Sequence, residues 1–226
     1  MYLIVMVEMP KKLPVMLLSE AVLFPQALMP IYIFEDRYQQ MLRETLDSHR
    51  MFSIGLLRTA KSGEEEPYPI VGVGLVRVAV GRPDGTSNLI LQGLCRAKIT
   101  RMFDDKPYCE ARLLPVMTID KGSNVEVDAL AAKVAELIEE RNKLGTPVPE
   151  EVIKFLVSLH DADMLSDLVS FNLLRDIDQK QEILETVELN KRLRRLIRFL
   201  QDEINHLKLL QQLKDGDGGQ GKIGLN

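Results

Sequence analysis

The sequence predicts an α+β protein: a small, mostly antiparallel β barrel or sandwich, then an α-helical bundle that ends in a long helix. Three observations predict it. Between residues 13 and 118, short apolar or alternating runs are separated by Pro, Gly and Asp turn chemistry. At Lys121-Gly122-Ser123 the apolar period changes to that of a helix. From residue 189, leucines recur at heptad spacing over some seven turns.

In chain order, LPVML and LMPIYIF are apolar and β-branched, and Pro25 and Pro30 punctuate them. EDRYQQMLRETLDSH follows, with Tyr38, Met41, Leu42 and Leu46 on one helical face. MFSIGLL is a continuous apolar run of strand length, expected centrally in a sheet. A polar loop carries Glu64, Glu65 and Glu66, and VGVGLVRVAV then alternates. Pro83-Asp84-Gly85 reads as a turn, because Pro presets φ and Gly accepts positive φ. SNLILQG and CRAKITRMF read as two further strands, DDKPY as a turn, and CEARLLPVM closes the set. These residues make a β-rich domain over 1–118.

A helical domain is expected over 119–213. Val127, Leu130, Ala131, Val134, Leu137 and Ile138 form one face of its first helix, which Gly145, Pro147 and Pro149 end. A second helix begins near Pro149, with Val152, Phe155, Leu156 and Leu159 inward. HDADMLSDLVSFNLL holds a third, and Asp176 is placed to cap a fourth. In the last helix Leu193, Leu196, Leu200, Leu207 and Leu210 fit a seam that Glu203 interrupts. The Gly-rich remainder, 214–226, is expected to be a disordered tail.

Composition narrows the function. Of the residues, 46% are hydrophobic and 27% charged, the balance of an ordinary globular protein, and the net charge is −4. Up to residue 118 there are 14 Lys and Arg against 13 Asp and Glu, so the β-rich part has no bulk basic field for nucleic acid. The two cysteines, Cys95 and Cys109, form no disulfide framework, and a reducing, cytoplasmic setting is expected. MYLIVMVEMP lacks the basic start and cleavage site of a signal peptide and is too short to span a bilayer.

Catalytic motifs are missing. His49, His160 and His206 lack metal-ligand spacing, Cys95 and Cys109 form no C-x-x-C, and there is no G-x-S-x-G. No catalytic, cofactor or metal residue is therefore assigned. GDGGQGKI (216–223) nearly spells a phosphate loop, but Ile223 replaces the hydroxyl residue, a helix precedes the glycines, and four residues follow Lys222. KRLRRLIR reads as a solvated helix face with charge partners one turn away, Glu188 for Arg192 and Asp202 for Arg198.

Several stretches resemble the amino-terminal domain of Lon-type ATP-dependent proteases. Val22, Phe24, Pro25, Ile33, Phe34, Glu35, Arg37 and Tyr38 follow its V-x-F-P, I-F-E and R-Y segments. Gly74, Pro83, Asp84, Gly85, Gly93, Leu94, Arg96 and Ala97 follow its P-D-G turn and G-L-x-R strand. Pro107, Tyr108, Ala111 and Leu113 match a further strand, and the helical segments from DADMLSDL to RFLQDEI match its helices. The resemblance implies a PUA-like pseudo-barrel followed by a helical bundle. It also implies a stand-alone, non-catalytic polypeptide-binding module, because the chain stops before the AAA+ and Ser–Lys protease modules of the family. The implied partners are unfolded or exposed-segment polypeptides, and a full-length Lon-type protease or a second copy met through the last helix. Phe34, Glu35, Arg37 and Tyr38, at a strand-to-helix junction, are the candidate polypeptide-binding cluster. Packing of Phe34 and Tyr38 between helix and sheet is the competing reading of the same residues. RNA binding, known for PUA-like folds, is the alternative function, and KRLRRLIR is its one basic patch.

Overall fold

A computed structural model describes residues 9–120, 123–145 and 148–217, with side chains to 213. The apolar start through Glu8 and the near-match to a phosphate loop from Gly218 onward lie outside the described residues. The chain forms two units. The first ends at Thr118 and regains Arg175–Val187; the second comprises Ile119–Leu174 and the chain from Glu188.

The first unit has seven strands: β1 (Lys12–Leu18), β2 (Leu28–Ile33), β3 (Met51–Thr59), β4 (Glu65–Pro67), β5 (Ile70–Gly81), β6 (Ser87–Phe103) and β7 (Cys109–Val116). The order β1-β7-β6-β5-β3 closes on itself through a β1–β3 pairing, so the sheet is a barrel. All its pairings are antiparallel except β1–β3, which is parallel with Val15 opposite Ser53. A parallel pair needs a crossover. Helix α1 (Asp36–Leu46) lies within it and packs on both strands, and the Tyr38 hydroxyl donates to the Leu17 carbonyl at 3.1 Å. Leu13, Val15, Met51, Val71, Val73, Ala97, Ala111 and Leu113 fill one core cluster of the barrel.

Two strands expected to be separate, SNLILQG and CRAKITRMF, are one strand of 17 residues. Gly93 lies inside it because the segment 22–27 crosses directly above. A Cβ on Gly93 would stand 1.9 Å from the Phe24 carbonyl oxygen, and one on Gly72 would stand 2.0 Å from that of Leu23. Backbone bonds from Gln26 to Gly93 and from Gly93 to Ala27, both 2.9 Å, clamp the crossing, and Gln26 takes φ 64°. The V-x-F-P segment and the glycines of β5 and β6 therefore form one device. In the expected loop at Glu64–Glu66, Glu65 and Glu66 instead begin the short strand β4, opposite Thr59 and Arg58. Gly85, at φ +86°, sits in the expected Pro83-Asp84-Gly85 turn.

On the α1 side, Lys106 donates to Glu44 at 2.6 Å and to the Tyr108 hydroxyl at 2.9 Å, and Tyr108 donates to the same Glu44 oxygen at 2.6 Å. The Lys106 hydrogen bond, followed by that of Tyr108, holds the Glu44 carboxyl down to about 2. The folded value is lowered, so the unfolded chain takes up this proton first as pH falls. The stabilisation is complete above about pH 4.5 and is lost towards about pH 2. Glu44→Gln is expected to flatten the fall of Tm across that window while leaving its slope at neutral pH unchanged. Parallel melts of the two proteins against pH check this.

The segment returning to the first unit carries α5 (Ile177–Glu185), capped by Asp176 as the sequence predicts, with Gln179 donating its N–H at 2.9 Å. Helical periodicity does not reveal which body α5 joins; two side chains do. Buried Arg96 donates to the Leu184 carbonyl at 3.0 Å, and Gln181 donates to the Ile70 carbonyl at 2.9 Å. The cation meets the negative end of the helix dipole, which places the Arg of the G-L-x-R segment structurally.

The second unit holds α2 (Asn124–Lys143), α3 (Glu150–Val157), α4 (Ala162–Leu173) and α6 (Leu189–Asp217). Ser123 and Asp161 cap α2 and α4. Val127, Val134, Leu137, Ile138, Leu193, Leu196, Leu200 and Ile204 are buried, so the leucine seam is packed as far as Ile204. Leu210 is 41% exposed, and the helix continues four residues into the expected tail. Phe155, expected inward, is 52% exposed. Ile153 and Leu156 are the buried pair of α3, and Phe155 falls beside their stripe. Two buried arginines help tie α6 into this unit. Arg192 reaches Asp163 at 2.6 Å and Asp167 at 3.0 Å, and Arg141 grips Glu203 with two bonds of 3.0 and 2.8 Å.

Candidate functional site

The candidate surface is the outer face of β2, β6 and β5. Directly paired residues of an antiparallel sheet share a face. Tyr32, Asn88 and Val80 form one row, and Pro30, Ile90 and Val78 form the next. The alternate residues Met29, Leu91 and Val76 point inward and are buried. Alternation would ordinarily place polar residues on the outer face. Here it carries Leu28 (57% exposed), Tyr32 (48%), Val78 (53%) and Val80 (59%), and Phe34 (61%) extends it beyond the strand. β2 pairs only with β6 among the described strands, and Pro30 within it suits an edge position.

Local interactions hold this face in shape. Tyr32 and Phe34 stack with ring centroids 5.9 Å apart. Gln39 of α1 donates to the Phe34 carbonyl at 2.9 Å. The same Gln39 lies against the β5–β6 turn, where a Cβ on Gly85 would meet its Oε1 at 2.6 Å. The strand-to-helix junction is thus fixed beside the hairpin. Arg82 lies over the Tyr32 ring at 5.5 Å, and Arg77 hydrogen-bonds Gln92. Arg77 is the extra residue of a β-bulge between Val76 and Val78, a feature that re-aims a side chain.

The four residues singled out at the junction take different places. Phe34 is on the apolar face. Glu35 and Arg37 form an exposed ion pair of 2.8 Å beside it. Tyr38 is buried, its hydroxyl bound to Leu17 and its ring beneath the Arg37 guanidinium at 4.5 Å. Leu28, Tyr32, Val78 and Val80 were not singled out from the sequence. Their signal is an apolar residue at every outward position of β2 and of the second half of β5.

Other chemistry finds little support. No group of His, Cys, Asp or Glu suited to a metal occurs among the described residues. Burial pushes the Cys95 thiol up, away from the thiolate a nucleophile needs. No described helix is long and apolar enough to cross a membrane. In KRLRRLIR, Arg192 is fully buried on its two aspartates, Lys191 pairs with Glu188 at 3.0 Å, and Arg194 pairs with Glu126 at 2.7 Å. Arg198 lies over the Phe199 ring at 5.0 Å, so the stretch is largely engaged within the helical unit and makes a poor phosphate-binding stripe.

Comparison with known proteins places these features. The profile described as the ATP-dependent protease La (LON) substrate-binding domain matches residues 12–202. Lon protease of Dictyoglomus thermophilum is 25% identical over 210 residues, covering 92% of this chain and 26% of that protein. Lon protease of Desulfosudis oleivorans is 27% identical over 209 residues, with 89% and 25% covered. The chain thus spans about a quarter of the length of these relatives. Among solved structures, the N-terminal domain of a Mycobacterium avium complex Lon protease superposes with a TM-score of 0.68 at 20% identity, covering 85% of this chain and 99% of that one. The Lon N-terminal domain protein of Xanthomonas campestris gives 0.62 at 19% identity, covering 83% and 98%. With the profile matched over most of its length, the chain belongs to the Lon substrate-binding domain family.

Proposed function

We propose that this chain is a non-catalytic polypeptide-binding module that takes exposed apolar segments of unfolded proteins on the outer face of β2, β6 and β5. One observation carries this: five large apolar side chains, Leu28, Tyr32, Phe34, Val78 and Val80, stand outward on one sheet region and its immediate extension, each about half exposed or more. Contiguous apolar surface with a polar rim is the physical mark of an interaction site. Stacked aromatics held by Gln39 and Arg82 make the surface preorganised, which lowers the ordering cost of binding. A full-length Lon-type protease is the partner the curated relatives suggest. The exposed Leu209, Leu210 and Leu213 of α6 offer a contact for it or for a second copy. Two free cysteines suit a reducing, cytoplasmic setting.

Fluorescence anisotropy with a labelled unfolded polypeptide tests the binding. Wild-type protein is expected to bind at micromolar concentrations, and Tyr32→Ser with Val80→Ser is expected to weaken binding about tenfold or more, as loss of central interface anchors does. The Tm should stay nearly unchanged, because both side chains are exposed. Equal affinity of variant and wild type would remove this face from the account.

A further inference from the structure

Resting on that assignment, we infer that the surface selects extended apolar segments bracketed by carboxylates, with Arg77 and Arg82 as the two specificity-determining residues. The arginines stand at opposite ends of the apolar strip. Arg77 holds Gln92, which pairs across the sheet with Leu28 at one end of β2. Arg82 covers Tyr32 near the other end. Tyr32 stands four residue steps along the strand from Leu28, a span of roughly 13 Å at the rise of an extended chain. An extended ligand lying along β2 therefore meets the two guanidiniums with side chains about four positions apart, its intervening residues on Leu28, Pro30, Tyr32 and Val78.

The charges around the strip leave this preference in place. Asp84, in the hairpin turn, is committed to Thr86, accepting from its N–H at 3.0 Å and its hydroxyl at 2.7 Å. Glu35 is matched by Arg37. The partner of Arg77 is a neutral amide; Arg82 lies over a ring face and also attracts the Asp84 carboxylate of the same turn, whose hydrogen bonds go to Thr86, so both guanidiniums keep N–H donors for a ligand carboxylate. A guanidinium exchanging such a contact for a carboxylate gains a charge-assisted, bidentate bond. Residues bearing Lys or Arg at those two positions would be repelled, which provides discrimination as well as attraction.

The test uses short labelled peptides with one aromatic and aliphatic centre, flanked by Asp, Asn or Lys at positions about four apart. The full chain should bind the Asp-flanked peptide about fivefold more tightly than the Asn-flanked one at low salt, with the Lys-flanked peptide weakest. High salt should shrink the difference. Arg77→Gln with Arg82→Gln should make the Asp-, Asn- and Lys-flanked peptides bind alike, whatever its effect on the affinity they share. Equal binding of all three peptides overturns the charge selection and leaves the apolar surface standing. Failure of every peptide to bind overturns the polypeptide-binding proposal itself. Self-association that the Asp-flanked peptide does not displace would assign the face to a second copy of this chain and overturn the inference.

Discussion

Gly93→Ala is expected to destabilise the first unit by about 3 kcal/mol or more, because the added methyl meets backbone that cannot move aside. Its Cβ would lie 1.9 Å from the Phe24 carbonyl oxygen and 2.8 Å from the carbonyl carbon. A flexible side chain in that position could rotate away, but this carbonyl belongs to the segment clamped by the Gln26–Gly93 and Gly93–Ala27 bonds. Relief requires lifting the crossing, with the buried Leu23 and Phe24 attached to it. Urea denaturation measures the effect as a lower midpoint at unchanged m. Gly81→Ala is the control within the same sheet. Its Cβ would meet the Ser87 Oγ at 3.7 Å, an ordinary contact, so the midpoint should move little. Comparable behaviour of the two variants would contradict the close crossing.

In the second unit, Arg192→Ala is expected to cost about 3–5 kcal/mol, the range for breaking a buried ion pair from one side. Arg192 is fully buried and Asp167 has 3% of its side chain exposed, so the variant leaves a carboxylate desolvated without its cation. Asp163, at 41%, can return to water. Replacing the pair together, Arg192→Met with Asp167→Leu, should recover most of the loss, since burying the two charges was itself unfavourable. Thermal unfolding followed by circular dichroism distinguishes these outcomes. A single variant within about 1 kcal/mol of wild type would show that the pair contributes no more than an exposed one.

The sequence resolved most of the strands, the Asp176 cap, the Pro83-Asp84-Gly85 turn and the change of period, because each rests on local chemistry. Asp176 caps its helix and Gly85 takes positive φ whatever surrounds them. What escaped depends on distant partners. Gly93 read as the end of a strand, whereas its missing side chain answers to Phe24, far away in sequence. Helix α5 read as one more helix of the second domain, whereas Arg96 and Gln181 bind it within the first unit. Phe155 read as inward because a short helix leaves its stripe ambiguous by one position. The candidate surface was half legible. Phe34 stood out beside Arg37 and Tyr38, but Val78 and Val80 read as ordinary strand residues. An apolar run does not say which of its two faces the fold will cover.

The most direct test of polypeptide binding at this face is a map of backbone amide chemical shifts in the isotopically labelled protein, titrated with an unfolded polypeptide. Saturable shifts should concentrate at residues 28–34, 77–82 and 88–92, and should collapse when Tyr32 and Val80 are replaced by serine. Shifts concentrated on the helical unit, or none at saturating polypeptide, would contradict it.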